Sequence, residues 1–395
     1  MKIIKLQLKP GKEESLKRFH PWIFSGAIAR FESQPEEGEI VEVIDSNNKF
    51  IALGHYQIGS IAVRVLTFEK EEINFEFWKH RLQVAFDLRK SLGLVNGNIN
   101  NTFRLVHGEG DYLPGLIVDV YDDTAVMQAH TPGMHYVREE LAKALIEVAG
   151  ADIKNVYYKS ETTLPYKADL GAENGYLIGE YHDSDIAVEN GLKFHVDWLR
   201  GQKTGFFVDQ RENRQIVEKF SNNRAVLNMF CYTGGFSFYA MRGGATLVHS
   251  VDSSAKAIDL TRKNVELNFP GDSRHEAYAE DAFKYLDRMG DQYDLIILDP
   301  PAFAKHKNVL RNALQGYRKL NAKAFEKIKP GGILFTFSCS QVVSKENFRL
   351  AVFSAAAQSG RRVRIIHQMT QPIDHPINIY HPEGEYLKGL VLYVE

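Results

Sequence analysis

The chain has 395 residues, with 48 lysine and arginine residues against 50 acidic residues and a formal net charge of −2, which excludes a protein that is basic over its whole surface. Hydrophobic residues make up 44% of the chain, as in globular proteins, and the length predicts two to three domains. The chain has only two cysteines, which excludes a disulfide framework and favours a reducing, cytoplasmic location. It has no run of about 18 uncharged apolar residues, which predicts no membrane contact.

Residues 1–70 are predicted to form a small β-barrel or sandwich, because short alternating strands are separated by turn residues. The strands are Ile3–Leu8, Gly38–Ile44, Phe50–Tyr56 and Ile61–Phe68. The basic residues Lys17 and Arg18 stand near Trp22, and this combination suits contact with RNA phosphates and stacking on bases. A solvated basic face beside a buried tryptophan is the alternative interpretation.

Residues 71–190 are predicted to form a small α+β module with little obvious chemistry. Asn74 can cap a helix that runs to about residue 93. A hairpin of Leu116–Tyr121 and Thr124–Ala129 follows, and then a helix of about Met134–Val148. The glycines of the loop between residues 108 and 115 are most simply explained by a turn.

Residues 191–395 are predicted to form an α/β domain with a doubly wound, mainly parallel sheet, because strands and helices alternate from residue 225 to the end. The strand Ala225–Met229 runs into the glycine turn Cys231-Tyr232-Thr233-Gly234-Gly235, and a helix of about Phe236–Arg242 follows. Carboxylates follow later apolar runs at Asp252, Asp281 and Asp299. In such a sheet these strand ends open on one edge, where ligands bind.

The cofactor part of this edge is predicted to hold a nucleoside without a phosphate group. The glycine turn lacks the G-x-G-x-x-G pattern of dinucleotide sites and the Gly-Lys-Ser/Thr of a P-loop. Asp252 can accept both hydroxyls of a ribose, and Asp281 can accept from an adenine amino group. Each aspartate alone is equally well explained as a helix N-cap, so the interpretation depends on the ordered set. S-adenosylmethionine is the predicted cofactor.

The chemical part of the edge is predicted to consist of Asp299 and Cys339. Two prolines follow Asp299 and make a rigid rim that suits a flat base, and Cys339 ends the predicted strand Gly332–Phe337. A thiolate that adds to C6 of cytosine makes C5 nucleophilic enough to take a methyl group. The alternatives are a strand terminator for Asp299 and a buried apolar residue for Cys339. Cys231, inside the glycine turn, is interpreted as packing.

A basic segment follows the rim. Phe303–Lys329 holds eight lysines or arginines and one acid, at the point where the phosphates that flank an extruded nucleotide would lie. An ordinary solvated helix face explains the same pattern. The predicted RNA-contacting residues here are Pro300, Lys305, Lys307 and Arg318.

The sequence resembles the RlmI-like family of class I methyltransferases, which make 5-methylcytosine in large-subunit ribosomal RNA and carry an N-terminal PUA domain. The resemblance covers nearly the whole chain. It rests on the segments 17–24, 205–214 and 228–236, on Asp299-Pro300-Pro301, on Ser338-Cys339-Ser340, and on Tyr386-Leu387-Lys388-Gly389. It implies a PUA-like RNA-binding pseudo-barrel at 1–70, a central α+β module at 71–190 and a Rossmann-like methyltransferase domain at 191–395.

The resemblance also implies a reaction and a site. S-adenosylmethionine is the expected donor, Cys339 the nucleophile and ribosomal RNA the partner, without a metal ion. Asn228 stands where methyltransferases often have an acidic residue at the end of the first strand, and no second cysteine accompanies Asp299. The predicted cofactor-binding residues are Phe206, Asp209, Gln210, Arg211, Asn228, Tyr232, Gly234, Asp252, Asp281, Ala282 and Asp299.

Two other functions stay open at the level of sequence. One is methylation of a guanine or adenine nitrogen, because a related guanine-N7 subgroup shares the glycine turn and Asp-Pro-Pro but has asparagines in place of Ser-Cys-Ser. The other is a non-catalytic RNA-binding assembly protein. The sequence also leaves the oligomeric state open, with a homodimer as one candidate.

Overall fold

The structure is a computed structural model that describes residues 3–95, 99–165, 170–171, 173–181, 186–304 and 306–395. Its chain divides into two compact units. The first unit contains Met1–Gly191, Val196–Val208 and Ile373–Gly384, and the second contains Leu192–His195, Asp209–Pro372 and Glu385–Glu395. None of the helices among these described ranges is both long and apolar enough to cross a membrane.

The first unit begins with a six-stranded mixed sheet. Its strands are β1 (Ile4–Leu8), β2 (Trp22–Phe24), β3 (Ile28–Phe31), β4 (Ile40–Ile44), β5 (Phe50–Tyr56) and β6 (Ile61–Thr67). They lie in the order β2-β6-β5-β4-β1-β3, and only β1 and β4 pair in parallel. Strands β1, β4, β5 and β6 were predicted, whereas β2 and β3 were not. The inward side chains of the sheet form one buried cluster around Leu6, Val43 and Val63.

A five-stranded sheet with three helices completes the first unit. Its strands are β7 (Thr102–His107), β8 (Leu116–Tyr121), β9 (Thr124–Ala129), β10 (Asn155–Tyr158) and β11 (Gly175–Ile178), in the order β11-β10-β9-β8-β7. The helices are α1 (Phe75–Ser91), α2 (Pro132–Tyr136) and α3 (Arg138–Ala149), and β12 (Ile186–Glu189) follows. The Asn74 side chain accepts a hydrogen bond from the backbone N–H of Phe77, so the predicted N-cap of α1 is confirmed.

The second unit is a seven-stranded sheet with helices between its strands. The unit begins with strand β13 (Leu192–His195), which is not part of this sheet. The seven strands of the sheet are β14 (Ala225–Met229), β15 (Leu247–Asp252), β16 (His275–Ala279), β17 (Leu295–Leu298), β18 (Gly332–Ser338), β19 (Val363–Thr370) and β20 (Lys388–Val394). Its helices are α4 (Arg211–Phe220), α5 (Gly235–Arg242), α6 (Ala255–Asn268), α7 (Ala282–Arg288), α8 (Leu310–Lys327) and α9 (Lys345–Ser359).

The strand order of this sheet is β16-β15-β14-β17-β18-β20-β19. The first five strands are parallel, and β20 runs antiparallel to both β18 and β19. The order therefore reverses between β14 and β17, and ligands bind at the carboxyl edge of such a reversal. The predicted doubly wound, mainly parallel sheet is confirmed.

Two segments lie outside the unit that the sequence suggested for them. Residues 196–208 and 373–384 were predicted to belong to the methyltransferase domain, and both fall in the first unit. Thr204 is hydrogen-bonded there to Tyr121 and Asp119 at 2.9 and 2.6 Å. Asp374 accepts a hydrogen bond from the backbone of Arg104 at 2.9 Å. Because these contacts join residues 80 or more positions apart, no local pattern shows them; the division into three domains stays a prediction.

One helix also differs from its prediction. The segment expected as a single helix at Met134–Val148 forms α2 and α3, which are separated at Val137. The first begins earlier than expected, because Thr131 caps it with a side-chain hydrogen bond and Pro132 occupies its first turn.

Candidate active site

The glycine turn after β14 has an unusual backbone. Phe230, Tyr232 and Gly234 all have positive φ angles, of 58°, 47° and 86°. A Cβ atom on Gly234 would lie 2.6 Å from the Phe238 ring and 2.7 Å from the Thr261 methyl group. Both the φ angle and the close contact therefore require glycine at position 234, and the backbone can approach a ligand closely.

Asp252 joins this turn to the end of β15. Its half-buried carboxylate accepts hydrogen bonds from the backbone N–H of Tyr232 at 3.0 Å and of Ser254 at 2.9 Å. A carboxylate has about four acceptor positions, so two backbone donors leave capacity for the hydroxyls of a ribose. The structure thus brings together three predicted cofactor residues, Tyr232, Gly234 and Asp252.

Asp281 and Ala282 lie at the start of α7, beyond the end of β16. Asp281 is exposed, and its side chain accepts a hydrogen bond from the backbone of Lys284 at 3.0 Å. It is therefore the helix N-cap that was the alternative interpretation. Ala282 is buried under this cap. Contact of either residue with a cofactor stays a prediction.

Asn228 is engaged within the core. Its side chain is fully buried, and its amide donates to Ser237 at 2.9 Å, which in turn lies 2.6 Å from Ser250. The amide oxygen has no hydrogen-bond partner among the residues that the structure describes. The side chain thus takes part in a network between β14, α5 and β15, and its contact with a cofactor stays a prediction.

Asp299 follows β17 and is tied to the segment before α4. One of its carboxylate oxygens accepts a hydrogen bond from the Gln210 side chain at 3.1 Å, and Gln210 accepts one from Asn213 at 2.6 Å. Asn213 also donates to the carbonyl of Thr370 at 3.2 Å. The chain of contacts fixes the Asp299 side chain, which is half-buried, at the carboxyl edge of the sheet.

The same segment contacts the C-terminal motif. The Tyr386 hydroxyl donates to Asp209 at 2.7 Å, and the Tyr386 backbone donates to the side chain of Gln371 at 3.2 Å. Arg211 is buried in the first turn of α4. Phe206 belongs to the first unit, where its backbone N–H donates to the Tyr121 hydroxyl at 3.3 Å.

Cys339 directly follows β18 and is half-buried. Its neighbours are anchored on both sides: Ser338 donates to the Tyr317 hydroxyl at 2.9 Å, and Ser340 donates to the carbonyl of Ala304 at 2.7 Å. The thiol is thus held at the carboxyl edge between two fixed residues and retains access to solvent. Burial as an inert apolar side chain, the alternative interpretation, does not describe it.

Cys339 and Asp299 follow neighbouring parallel strands, because Leu298 of β17 pairs with Thr336 of β18. The carboxyl ends of such strands open on the same edge of the sheet. Near them, burial raises the pKa of the Tyr317 phenol to about 12, and the negative charges of Cys339 and Asp299 add to the rise. The two predicted catalytic residues, 40 positions apart in the chain, therefore meet at one edge of the sheet.

Cys231 differs from Cys339 in its surroundings. Its side chain is 6% exposed, and burial raises the pKa of its thiol far above the ordinary value. A thiol that stays protonated is a poor nucleophile. The packing role predicted for Cys231 is consistent with this position.

The residues predicted to contact RNA lie in different settings. Lys17 and Arg18 are exposed, and Lys17 pairs with Glu14 at 2.9 Å. The Trp22 ring is covered by the Arg64 guanidinium and by His381, at ring distances of 5.1 and 4.2 Å. The ring is half-buried and His381 meets it edge-on, so contact of Trp22 with a base stays a prediction.

The second predicted RNA-binding group follows β17. Pro300 is buried whereas Pro301 is exposed, so Pro301 forms the rim that faces solvent. Arg318 is exposed on α8, the opposite face of which buries Tyr317 and Leu320. Lys305 and the side chain of Lys307 lie outside the described residues.

Three further polar residues belong to this edge and were not predicted. They are Tyr317, Gln371 and Lys388. Lys388 carried a signal, because it is a lysine next to the apolar run Leu390–Val394 of the last strand. Tyr317 and Gln371 carried none, since a tyrosine on an amphipathic helix and a glutamine after a strand are both common.

Comparison with known proteins defines the class. A family model described as S-adenosylmethionine-dependent methyltransferase matches residues 137–377, and a PUA-like domain model matches residues 6–68. Two solved structures share the fold over 99% of this chain: SMU.776 in complex with SAH, with a TM-score of 0.85 at 22% identity, and a SAM-dependent methyltransferase from Streptococcus mutans, at 0.84 and 21%. Each is covered over 100% of its length. The protein is an S-adenosylmethionine-dependent methyltransferase.

Curated relatives define the family within that class. The ribosomal RNA large subunit methyltransferase I of Tolumonas auensis is 41% identical over 392 residues, and that of Aeromonas hydrophila is 40% identical over 394 residues. Each comparison covers 98% of this chain and 98% of the relative. The chain belongs to the ribosomal RNA large subunit methyltransferase I family, as its sequence motifs predicted.

The residues at the carboxyl edge fit the cofactor of this class. Asp252 offers a carboxylate beside a turn that brings the backbone close, and the turn carries no lysine for a phosphate chain. These groups suit a nucleoside that carries a sulfonium group in place of phosphates.

Proposed function

We propose that this protein methylates C5 of a cytosine in large-subunit ribosomal RNA, with Cys339 as the nucleophile. The observation that carries the proposal is the half-buried Cys339 thiol at the end of β18, together with Asp299 at the end of the neighbouring strand. Among side chains at this edge only a thiol explains carbon methylation, because C5 of cytosine is a poor nucleophile until a group adds at C6.

The substrate class rests on the relatives and on the N-terminal domain. The curated relatives named above are called ribosomal RNA large subunit methyltransferases, and the match covers almost their full length. The PUA-like domain over residues 6–68 supports an RNA substrate. Lys17, Arg18 and Arg318 offer exposed positive charges for phosphates.

The proposed reaction assigns a role to each residue. The thiolate of Cys339 adds to C6, which turns C5 into an enamine-like carbon. The cofactor supplies an electrophilic methyl group, which C5 takes. Loss of the C5 proton to water and elimination of the Cys339 sulfur as a thiolate then restore the aromatic ring and release the enzyme. Asp299, oriented by Gln210, accepts a hydrogen bond from the amino group of the base and, in its protonated form, gives its proton to N3 as the thiolate adds at C6, which stabilises the adduct; the proton returns to Asp299 on elimination.

The cofactor-binding role is proposed for the residues around the glycine turn. Asp252 accepts the ribose hydroxyls, and the Tyr232–Gly234 backbone approaches the nucleoside. The buried Arg211 and the hydrogen-bonded pair Asp209–Tyr386 line the part of the cofactor site next to the glycine turn. Contacts of Phe206, Asp281 and Ala282 are proposed on the same family pattern.

The decisive experiment identifies the methylated atom. Purified protein is incubated with labelled S-adenosylmethionine and large-subunit RNA from cells that lack the gene, and the digested RNA is analysed by mass spectrometry. We expect 5-methylcytosine. A methylated guanine or adenine would replace the proposal with the alternative enzyme, and no incorporation would favour a non-catalytic RNA-binding protein.

A second experiment tests the covalent step directly. RNA that contains 5-fluorocytidine cannot lose the C5 substituent as a proton, so the adduct should persist as a complex that survives denaturing electrophoresis. We expect this complex with the unaltered protein and not with the Cys339→Ala variant. Methylation of ordinary RNA without any such complex would rule out the adduct.

A further inference from the structure

Lys388 occupies an unusual position for a lysine. It is the first residue of β20, its side chain is only 5% exposed, and its register partner on β18 is Ser338, which directly precedes Cys339. Burial of an ammonium group costs free energy unless neighbouring groups compensate for it. The lysine must therefore be held by specific partners.

These partners are in the chain that follows Cys339. The Lys388 amine donates to the backbone carbonyl of Ser340 at 2.5 Å and to that of Val343 at 2.5 Å. The amine thus bridges the turn between β18 and α9. An ammonium group has three N–H donors, and these two hydrogen bonds leave one for a further acceptor.

Electrostatic contacts link the same amine to the thiol. Burial lowers the pKa of the Lys388 amine to about 8, while the negative charge of Cys339 favours its charged form. Glu385 also favours the charged form and Lys345, which pairs with Glu385, opposes it. Tyr317 and Asp299 are further titratable groups near the thiol. Coulomb interactions are mutual, so an ammonium that a thiolate stabilises also stabilises that thiolate.

We propose that Lys388 is a positioning residue for Cys339: its ammonium group fixes the Ser340–Val343 turn and keeps a positive charge beside the sulfur. The proposal rests on the proposed function in one respect, namely that Cys339 reacts as a thiolate. It assigns Lys388 no contact with the RNA base and no proton transfer. The lysine acts through the cysteine.

The test measures thiol reactivity without RNA or cofactor. The rate of iodoacetamide alkylation at Cys339 is followed by mass spectrometry between pH 5 and 10 in the full-length protein, and the midpoint of the profile gives the pKa of the thiol. Two variants separate charge from turn geometry: Lys388→Met removes both the charge and the donor, whereas Lys388→Gln retains a donor without the charge. Lys263→Met, a loss of charge at an exposed position on α6, is the matched control.

We expect both Lys388 variants to raise the midpoint by one pH unit or more, which corresponds to about tenfold slower alkylation at pH 7, and the control to leave it unchanged. If the midpoint shifts in Lys388→Met but not in Lys388→Gln, the hydrogen bonds to the turn, and not the positive charge, would determine the pKa of the thiol. Unchanged midpoints in both variants would overturn the proposal. If either variant unfolds, the circular dichroism spectrum shows it and the other variant decides.

The outcome is separable from that of the proposed function. If the pKa of the thiol depends on Lys388 but the protein makes no 5-methylcytosine, the proposed function is refuted and the Lys388–Cys339 coupling stands. If an RNA adduct is trapped but the midpoints are unchanged, the proposed function stands and the role of Lys388 is refuted.

Discussion

The side-chain amide of Gln210 donates a hydrogen bond of 3.1 Å to the carboxylate of Asp299, across 89 positions of sequence. Gln210 is in turn held by Asn213, whose amide also reaches the carbonyl of Thr370. Two motifs that are far apart in the chain are thus parts of one polar chain at the carboxyl edge of the sheet. The orientation of the Asp299 carboxylate therefore depends on a residue that is remote from it in sequence.

The first prediction concerns this contact. Replacement of Gln210 by Leu removes the donor to Asp299, and a hydrogen bond to a charged group is worth about 1.5–3 kcal/mol. We expect kcat/KM for RNA methylation to fall about 10- to 100-fold. Gln215→Leu, on a half-exposed position of α4, is the control and should retain activity. Equal activity of both variants would show that Asp299 needs no such support.

The second prediction separates the two cysteines. Cys339→Ala removes the proposed nucleophile and should abolish RNA methylation, yet it should still bind S-adenosylmethionine and RNA. Cys231→Ala is the matched control, since that thiol is buried and its raised pKa keeps it protonated. We expect Cys231→Ala to lose some stability and to keep methylating. Filter binding, calorimetry and methyl incorporation measure the three properties, and near-normal turnover by Cys339→Ala would end the covalent mechanism.

The third prediction tests the ribose role of Asp252. Tyr232 and Ser254 donate to different oxygens of Asp252, so Asp252→Asn keeps an acceptor for one of these backbone donors, and at this half-buried position the fold should persist. Loss of the carboxylate should weaken binding of S-adenosylmethionine about tenfold or more, since a hydrogen bond to a charged acceptor is lost. Calorimetry measures the affinity. Asp259→Asn, on the exposed side of α6, is the control, and an affinity that matches this control would refute the ribose contact.

The fourth prediction concerns stability at the glycine turn. Gly234→Ala places a methyl group within 2.7 Å of Phe238 and Thr261 at a φ angle of 86°. The left-handed backbone alone costs about 1–2 kcal/mol for alanine, and the contacts add to this cost. We expect a loss of roughly 3 kcal/mol in the free energy of unfolding, and weaker cofactor binding. Gly271→Ala, also at positive φ but without neighbours within 4 Å, is the control for the backbone term alone.

The fifth prediction is a pH dependence. Burial lowers the pKa of His55 to about 4, from an ordinary value of about 6.5. Below pH 6.5 the unfolded chain therefore binds a proton that the folded chain does not, and the stability contributed by the neutral histidine is lost as pH falls from about 6.5 towards 4. Between pH 7 and 5 this single group should cost about 2 kcal/mol.

The measurement compares the protein with its His55→Leu variant. Chemical unfolding followed by tryptophan fluorescence suits the comparison, because the His55 ring stacks on Trp78 at 5.9 Å. His130, the pKa of which burial also lowers to about 4, titrates in both proteins, so the difference isolates His55. We expect the variant to lose about 2 kcal/mol less than the parent on acidification. Parallel losses would mean that His55 is protonated in the folded state.

Local pattern alone determined much of this protein. Alternating apolar residues gave strands β5, β8 and β9 their bounds, and Asn74 marked the start of α1. The alternation of strands and helices after residue 225 specified a parallel sheet, and the motifs specified the family. These features follow from neighbours in sequence, which fix periodicity, caps and turns.

Only the tertiary structure decided which side chains meet. It joined Cys339 and Asp299 around Tyr317, tied Gln210 to Asp299, and placed Lys388 beside the thiol. It also showed that the Asn228 amide is engaged within the core, that Trp22 is half-buried beside His381 and that Pro300 is buried. Exposure and hydrogen-bond partners are set by chain segments that are remote in sequence, so no local pattern contains them.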